Sequence, residues 1–311
     1  MGGDKDEITF HLPFVNKLLE KTKRIIIPGP SKLTLYNLLQ IYGTGIIKGT
    51  FSSRASGIAY SFFVALFPFL LFILNMIPYI PIEGFQTRFL IFIEGLFPPQ
   101  TADLFYPVVA DIAVNPRGGL LSFTIILALF LSANGVNAIF SAFKFSYHVT
   151  INRKFFRQYG VAFLVALFLA LLLLTTVGVI LYGEFLIREL SGRAVIKNDL
   201  FWVGLLQVVV FVIMIYTAIA TLYYFGTKQG KNTRLFSIGA IITTLLFMLT
   251  TYLFGIYINN FSNYNELYGS LGALLIMMLY IWINSNLLLL GFELNISLQQ
   301  LRKNNTNNNT N

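Results

Sequence analysis

The side chains of this 311-residue chain that could do chemistry are few, and most are amides, hydroxyls and single charges set near the ends of apolar runs. Asn134, Asn137, Ser141 and Lys144 follow one another at intervals of three, four and three residues, which places them on one face of a helix. Asn286, Glu293, Ser297 and Gln300, seven, four and three apart, make a second such stripe. Ser61, Pro68 and Asn75 recur every seven residues and stay within about 40° of one helical face. Pro68 frees backbone groups within its helix. Arg54 stands just before an apolar run, at the same predicted level as Lys144 and Glu293.

Two readings of these stripes stand. In one, amides and hydroxyls bond across helices as glue, each contributing roughly 0.6–2 kcal/mol, and Glu293 pairs with Arg54 or Lys144. In the other, the first, second and sixth spans enclose a polar cavity near the cytoplasm. There Arg54 and Lys144 give an anion charge-assisted hydrogen bonds, with amide contacts from Asn134, Asn137 and Asn286. Other chemistries have few residues to work with. Zero Cys excludes thiol nucleophiles, disulfides and cysteine-ligated metals. Two His, His11 and His148, leave too little for a His-based metal site or a Ser/His/Asp triad. No Walker loop, dinucleotide fingerprint or HExxH is present. The chain is expected to be no enzyme, with no catalytic residue, no metal and no cofactor.

The elements that must position these residues are membrane helices. The chain is 56% hydrophobic and 11% charged, against roughly 25% charged in a soluble domain, and its mean hydropathy is +0.71. Crossing a bilayer core takes about 20 apolar residues in helix. Six stretches without Asp, Glu, Lys, Arg or His reach that length, at about 57–80, 119–143, 160–183, 200–226, 235–258 and 271–292. The fold class is therefore all-α, a polytopic membrane protein with six transmembrane helices. Seventeen of the 22 Lys and Arg fall on the side of the termini, which predicts both termini in the cytoplasm. That distribution explains the net charge of +9 without nucleic acid. The acidic, glycine-rich start is no signal peptide, so the first span is expected to remain as an anchor.

Three regions follow: a cytoplasmic segment over 1–56, a six-helix transmembrane domain over 57–299 and a disordered tail over 300–311. Residues 33–51 carry Leu35, Leu38, Leu39, Tyr42, Ile46 and Ile47 at near-helical spacing, which predicts interfacial amphipathic helices. The connection over 81–118 predicts two short helices at the outer face. Tyr268, Gly269, Ser270 and Gly272 open the sixth span with small residues that let helix backbones approach closely.

At these residues the chain resembles the YihY / virulence factor BrkB family of bacterial inner-membrane proteins. The likeness lies in Arg54-Ala55-Ser56-Gly57-Ile58-Ala59-Tyr60 with Leu66-Phe67-Pro68, and in Ser132-Ala133-Asn134-Gly135-Val136-Asn137. It also lies in Tyr268-Gly269-Ser270-Leu271-Gly272-Ala273 with Gly291-Phe292-Glu293-Leu294-Asn295. It covers roughly residues 33 to 300. The resemblance implies six helical spans in the inner membrane, and a historical label of ribonuclease BN that is regarded as a misassignment. Some members of that family have been linked to the envelope and to lipid transport. With the basic-polar cavity, this points to a transporter or flippase for an anionic lipid or similar amphiphile, its partners being membrane lipids. The alternative is a non-transporting scaffold that binds envelope proteins.

Overall fold

The apolar runs form helices because a bilayer offers the backbone no other partner for its N–H and C=O groups. The computed structural model describes residues 50–79, 118–145, 154–192, 199–226, 237–260 and 271–308, with the isolated positions Thr34, Tyr36, Asp111 and Asn115. Six long helices run through them: α1 (Thr50–Met76), α2 (Gly118–Lys144), α3 (Phe155–Gly192), α4 (Asp199–Gly226), α5 (Ile238–Asn260) and α6 (Leu271–Asn308). A 3-10 turn, Ile77–Tyr79, follows α1. Among the described residues, five helices, α2 to α6, are long and apolar enough to cross a membrane. Most of the interfacial 33–51 segment, most of the outer 81–118 segment, His148, Tyr268, Gly269 and Ser270 lie outside the described residues. Gly272 is described only as part of the α6 backbone.

Each helix packs on its neighbours in sequence, and α6 returns to pack on α1, so the six close into a ring. α2 also reaches α4 and α6 across that ring. The start of α1, the end of α2, the start of α3 and the end of α4 meet at one end. We call it the basic end, since Arg54, Lys144, Lys154 and Arg157 lie there. The main apolar core belongs to this half of the bundle. It joins Phe51, Ala55 and Ile58 of α1 to Ile139, Phe140 and Phe143 of α2, Ile219 and Tyr223 of α4, and Leu289 and Phe292 of α6. Toward the far end, neighbours still touch pairwise. Tyr79 lies beside Gly118, Leu206 packs against Gly183, and the Thr251 and Tyr280 hydroxyls bond at 2.7 Å.

Large apolar residues such as Leu174, Leu181, Val208, Ile213, Leu245 and Leu253 are exposed around the outside, as a hydrocarbon solvent requires. Hydroxyls along the helices bond back to their own fourth-preceding carbonyls, as in Ser61 to Gly57, Thr175 to Leu171 and Thr217 to Ile213. This satisfies them inside the helix and leaves few free for other work. Two helices exceed the expected spans. α3 and α6 each have 38 residues, roughly 57 Å of helix against a core of about 30 Å. α6 runs on to Asn308, across most of the 300–311 segment. Continuing a helix adds a hydrogen bond per residue without a new nucleus, so weak helix formers can be carried along.

Candidate functional site

Arg54 lies in the first turns of α1, half-buried, with its guanidinium carbon 4.7 Å from the Phe51 ring centre. Its Nη1 donates to the Ala142 carbonyl at 3.1 Å. Ala142 is in the last turn of α2, where carbonyls lack helical partners and the helix dipole favours a cation. Glu293 of α6 is buried and near enough for its charge to act on Arg54. Asn286 shares that face of α6 two turns away, and its amide donates to the Trp282 carbonyl of its own helix. Lys144 ends α2 half-buried.

Between α1, α2 and α6 at this level, the core formed by the described residues is apolar. Where an open polar cavity is expected, the described residues form a packed interior flanked by Arg54 and Glu293. Its centre is aromatic. The Phe143 and Phe292 rings stack with centroids 3.8 Å apart at 7°, and Tyr223 meets both edge-on at 5.8 Å. The segment from Gly291 to Asn295 builds this closure residue by residue. A side chain on Gly291 would collide with Thr243 and the Tyr223 hydroxyl, so only glycine lets α4, α5 and α6 meet there. Tyr223 donates to the Leu288 carbonyl and shares a 2.8 Å bond with Thr243. Asn295 Oδ1 accepts from the Gly239 N–H at 3.0 Å, and its Nδ2 donates to Ser237 Oγ at 2.8 Å. Ser237 also accepts from the Ala240 N–H, as an N-cap of α5 does.

The α2 stripe is coherent but faces α3 instead of α1 and α6. Asn137 Oδ1 accepts from Gln158 Nε2 at 2.7 Å, and Ser141 Oγ lies 3.2 Å from the same donor. Asn134 is exposed and lines an open groove of about 790 Å3 between α2 and α3, walled by Phe130, Phe155, Phe156, Tyr159 and Phe163. Asn75 is buried on α1, donating to the Leu71 carbonyl, and Pro68 lies within the same continuous helix. The structure thus unites Arg54 and Glu293, keeps Asn286 on their side, and sends Asn134 and Asn137 to another face.

Across residues 45–311 the sequence matches the family model described as virulence factor BrkB. The chain belongs to that family. Among BrkB-like relatives, the ribonuclease-like protein YfkH of Bacillus subtilis is 30% identical over 81% of this chain and 91% of its own length. A UPF0761 membrane protein of Coxiella burnetii is 25% identical over 84% of this chain and 92% of its own. No solved structure matches. In this BrkB-family chain, sequence reasoning passed over Gln158, Tyr223, Thr243 and Ser237. Gln158 carried a signal, being an amide one turn into an apolar helix. Tyr223 and Thr243 carried none, because a hydroxyl in an apolar run looks the same whether it bonds its own helix or another.

Proposed function

We propose that this membrane protein is a transporter or flippase for an anionic lipid or lipid-like amphiphile, engaged near the basic end between α1, α2 and α6. The observation that carries the reading is closure at one end. Phe140, Phe143, Tyr223 and Phe292 fill the basic end. Arg54 lies beside that closure, with the buried Glu293 near enough for its charge to act on it. Ionisable groups inside a bundle mark substrate or ion paths by default. When the aromatic rings part, Arg54 faces an anionic headgroup and Asn286 offers it an amide. On this reading the basic end faces the cytoplasm from a bacterial inner membrane. No catalytic role is assigned, so purified protein is expected to leave RNA uncut beside a protein-free control.

The test is leaflet exchange in liposomes. The full-length protein is reconstituted with headgroup-labelled phosphatidylglycerol, and external quenching follows exchange with and without a proton gradient. Exchange faster than in empty liposomes is expected. Arg54→Ala should slow it by about tenfold or more, the worth of one charge-assisted bond, and Arg54→Lys should retain part of the rate. Gradient dependence lost in Glu293→Gln would assign proton coupling to that carboxylate. Exchange no faster than in empty liposomes, for several headgroups, would sink the transporter reading in favour of a scaffold.

A further inference from the structure

The stripe that begins at Arg54 continues through Ser61, Pro68 and Asn75 at intervals of seven residues along α1. Its neighbours fix where that face looks. α1 packs chiefly on α2 and α6. Phe62, about 80° round the helix from Arg54, lies against Gly135 of α2. Ser61, Pro68 and Asn75 drift in the opposite sense, by about 20° a step, and so lie toward α6. Glu293 and Asn286 stand seven residues apart on α6, as Arg54 and Ser61 do on α1. The stripe follows the α1–α6 seam. From Arg54 to Asn75 it rises about 31 Å, the depth of a hydrocarbon core.

Beyond Arg54 the hydrogen-bonding capacity left on this stripe is one-sided. Asn75 is 3% exposed, and its amide donates to the Leu71 carbonyl. Its Oδ1 is buried with no partner among the described residues. Pro68, also buried, has no N–H to return to the Val64 carbonyl. The Ser61 hydroxyl spends its proton on the Gly57 carbonyl and keeps its lone pairs. These groups accept hydrogen bonds and have none to donate. A bare buried acceptor is costly and calls for a donor. On the transporter reading, on which this step rests, Arg54 holds the phosphate and the headgroup must bring that donor. We infer that the α1–α6 seam is the headgroup's path across the membrane, and that its acceptors select an anionic phosphodiester carrying hydroxyls over one carrying none. The headgroup hydroxyls donate in turn to Ser61, the Val64 carbonyl and Asn75 Oδ1, while the acyl chains stay in the hydrocarbon outside.

The test is leaflet exchange of two acyl-labelled lipids of equal charge, phosphatidylglycerol and phosphatidylmethanol. They differ only in whether the second alcohol is glycerol or methanol. The full-length protein is reconstituted with a trace of one or the other, and external quenching gives the two rates. Phosphatidylglycerol should exchange roughly tenfold faster, the worth of one or two hydrogen bonds. Asn75→Leu removes the last acceptor, and Pro68→Ala gives the Val64 carbonyl its helical donor. Each should cut the ratio to about threefold or less, and together they should bring the two lipids to within about twofold. Both changes relieve a bare acceptor, so neither should lower the melting temperature. Arg54→Ala should slow both lipids alike, because the phosphate is common to them. Fast exchange of both lipids at one rate overturns the selection and leaves the transporter reading standing. So does a preference that survives Asn75→Leu/Pro68→Ala. Exchange of neither lipid faster than in empty liposomes overturns both readings. The wild-type comparison needs no variant, so it decides even where a variant misfolds.

Discussion

At the scale of single residues, much of the polarity at the basic end is bonded across helices or back to backbone carbonyls. Tyr223 ties α4 to α5 and α6 through one hydroxyl. Tyr223→Phe removes those bonds and keeps the ring, so a loss of about 1–2 kcal/mol is expected, read as a lower melting temperature in detergent. Gly291→Ala is harsher, since the methyl meets Thr243 and Tyr223 at close range. Overpacking there should cost about 1–3 kcal/mol or more. Gly178→Ala, with nothing within 4 Å of the added Cβ, should be neutral or gain up to about 1 kcal/mol. The charged pair calls for a double-variant cycle. Arg54→Ala and Glu293→Ala each leave a partner without its opposite charge, so their combined loss should fall short of the sum by about 1–3 kcal/mol. Strict additivity would show that the two charges do not act on each other.

At the scale of elements, the start of α5 depends on α6 as well as on its own cap. Asn295→Ala leaves the Gly239 N–H and Ser237 hydroxyl without that partner, and should cost about 1–2 kcal/mol with faster amide exchange at Gly239. Gln158→Leu should loosen α2 from α3 by roughly 0.6–2 kcal/mol. The helices themselves were legible in the sequence because hydrocarbon thickness and charge-free length set them directly. The start of α2 at Gly118 and the end of α4 at Gly226 lie within one residue of the hydropathy limits. The extensions of α3 to Gly192 and α6 to Asn308 were not legible, since beyond the bilayer no apolar run marks where a helix stops. Periodicity grouped Asn134, Asn137 and Ser141 correctly on one face. It did not give that face a neighbour, because the rotation of α2 is set by what packs around it, above all by Phe140 and Phe143 turned toward the centre.

At the scale of the whole molecule, the aromatic centre is, on the proposed transporter reading, the seal of the six-helix ring. Phe143→Ala/Phe292→Ala removes the stacked pair and should raise small-anion efflux from loaded liposomes well above wild type, whereas Leu174→Ala on the exposed flank should not. Equal efflux from both would mean that the rings close nothing. The bonds from Asn295 to Gly239 and Ser237 have a mechanical consequence as well. They lash the first turn of α5 to α6, so any motion that parts the rings carries those two helices as one piece. Tyr223 bonds α4 to the same piece, so the travel falls where α6 meets α1. The chain has no cysteine of its own, so an engineered pair of thiols reports such travel without background. A pair bridging α5 and α6 beside Asn295 should cross-link in every state, and a pair bridging α1 and α6 beside Glu293 only in the closed one.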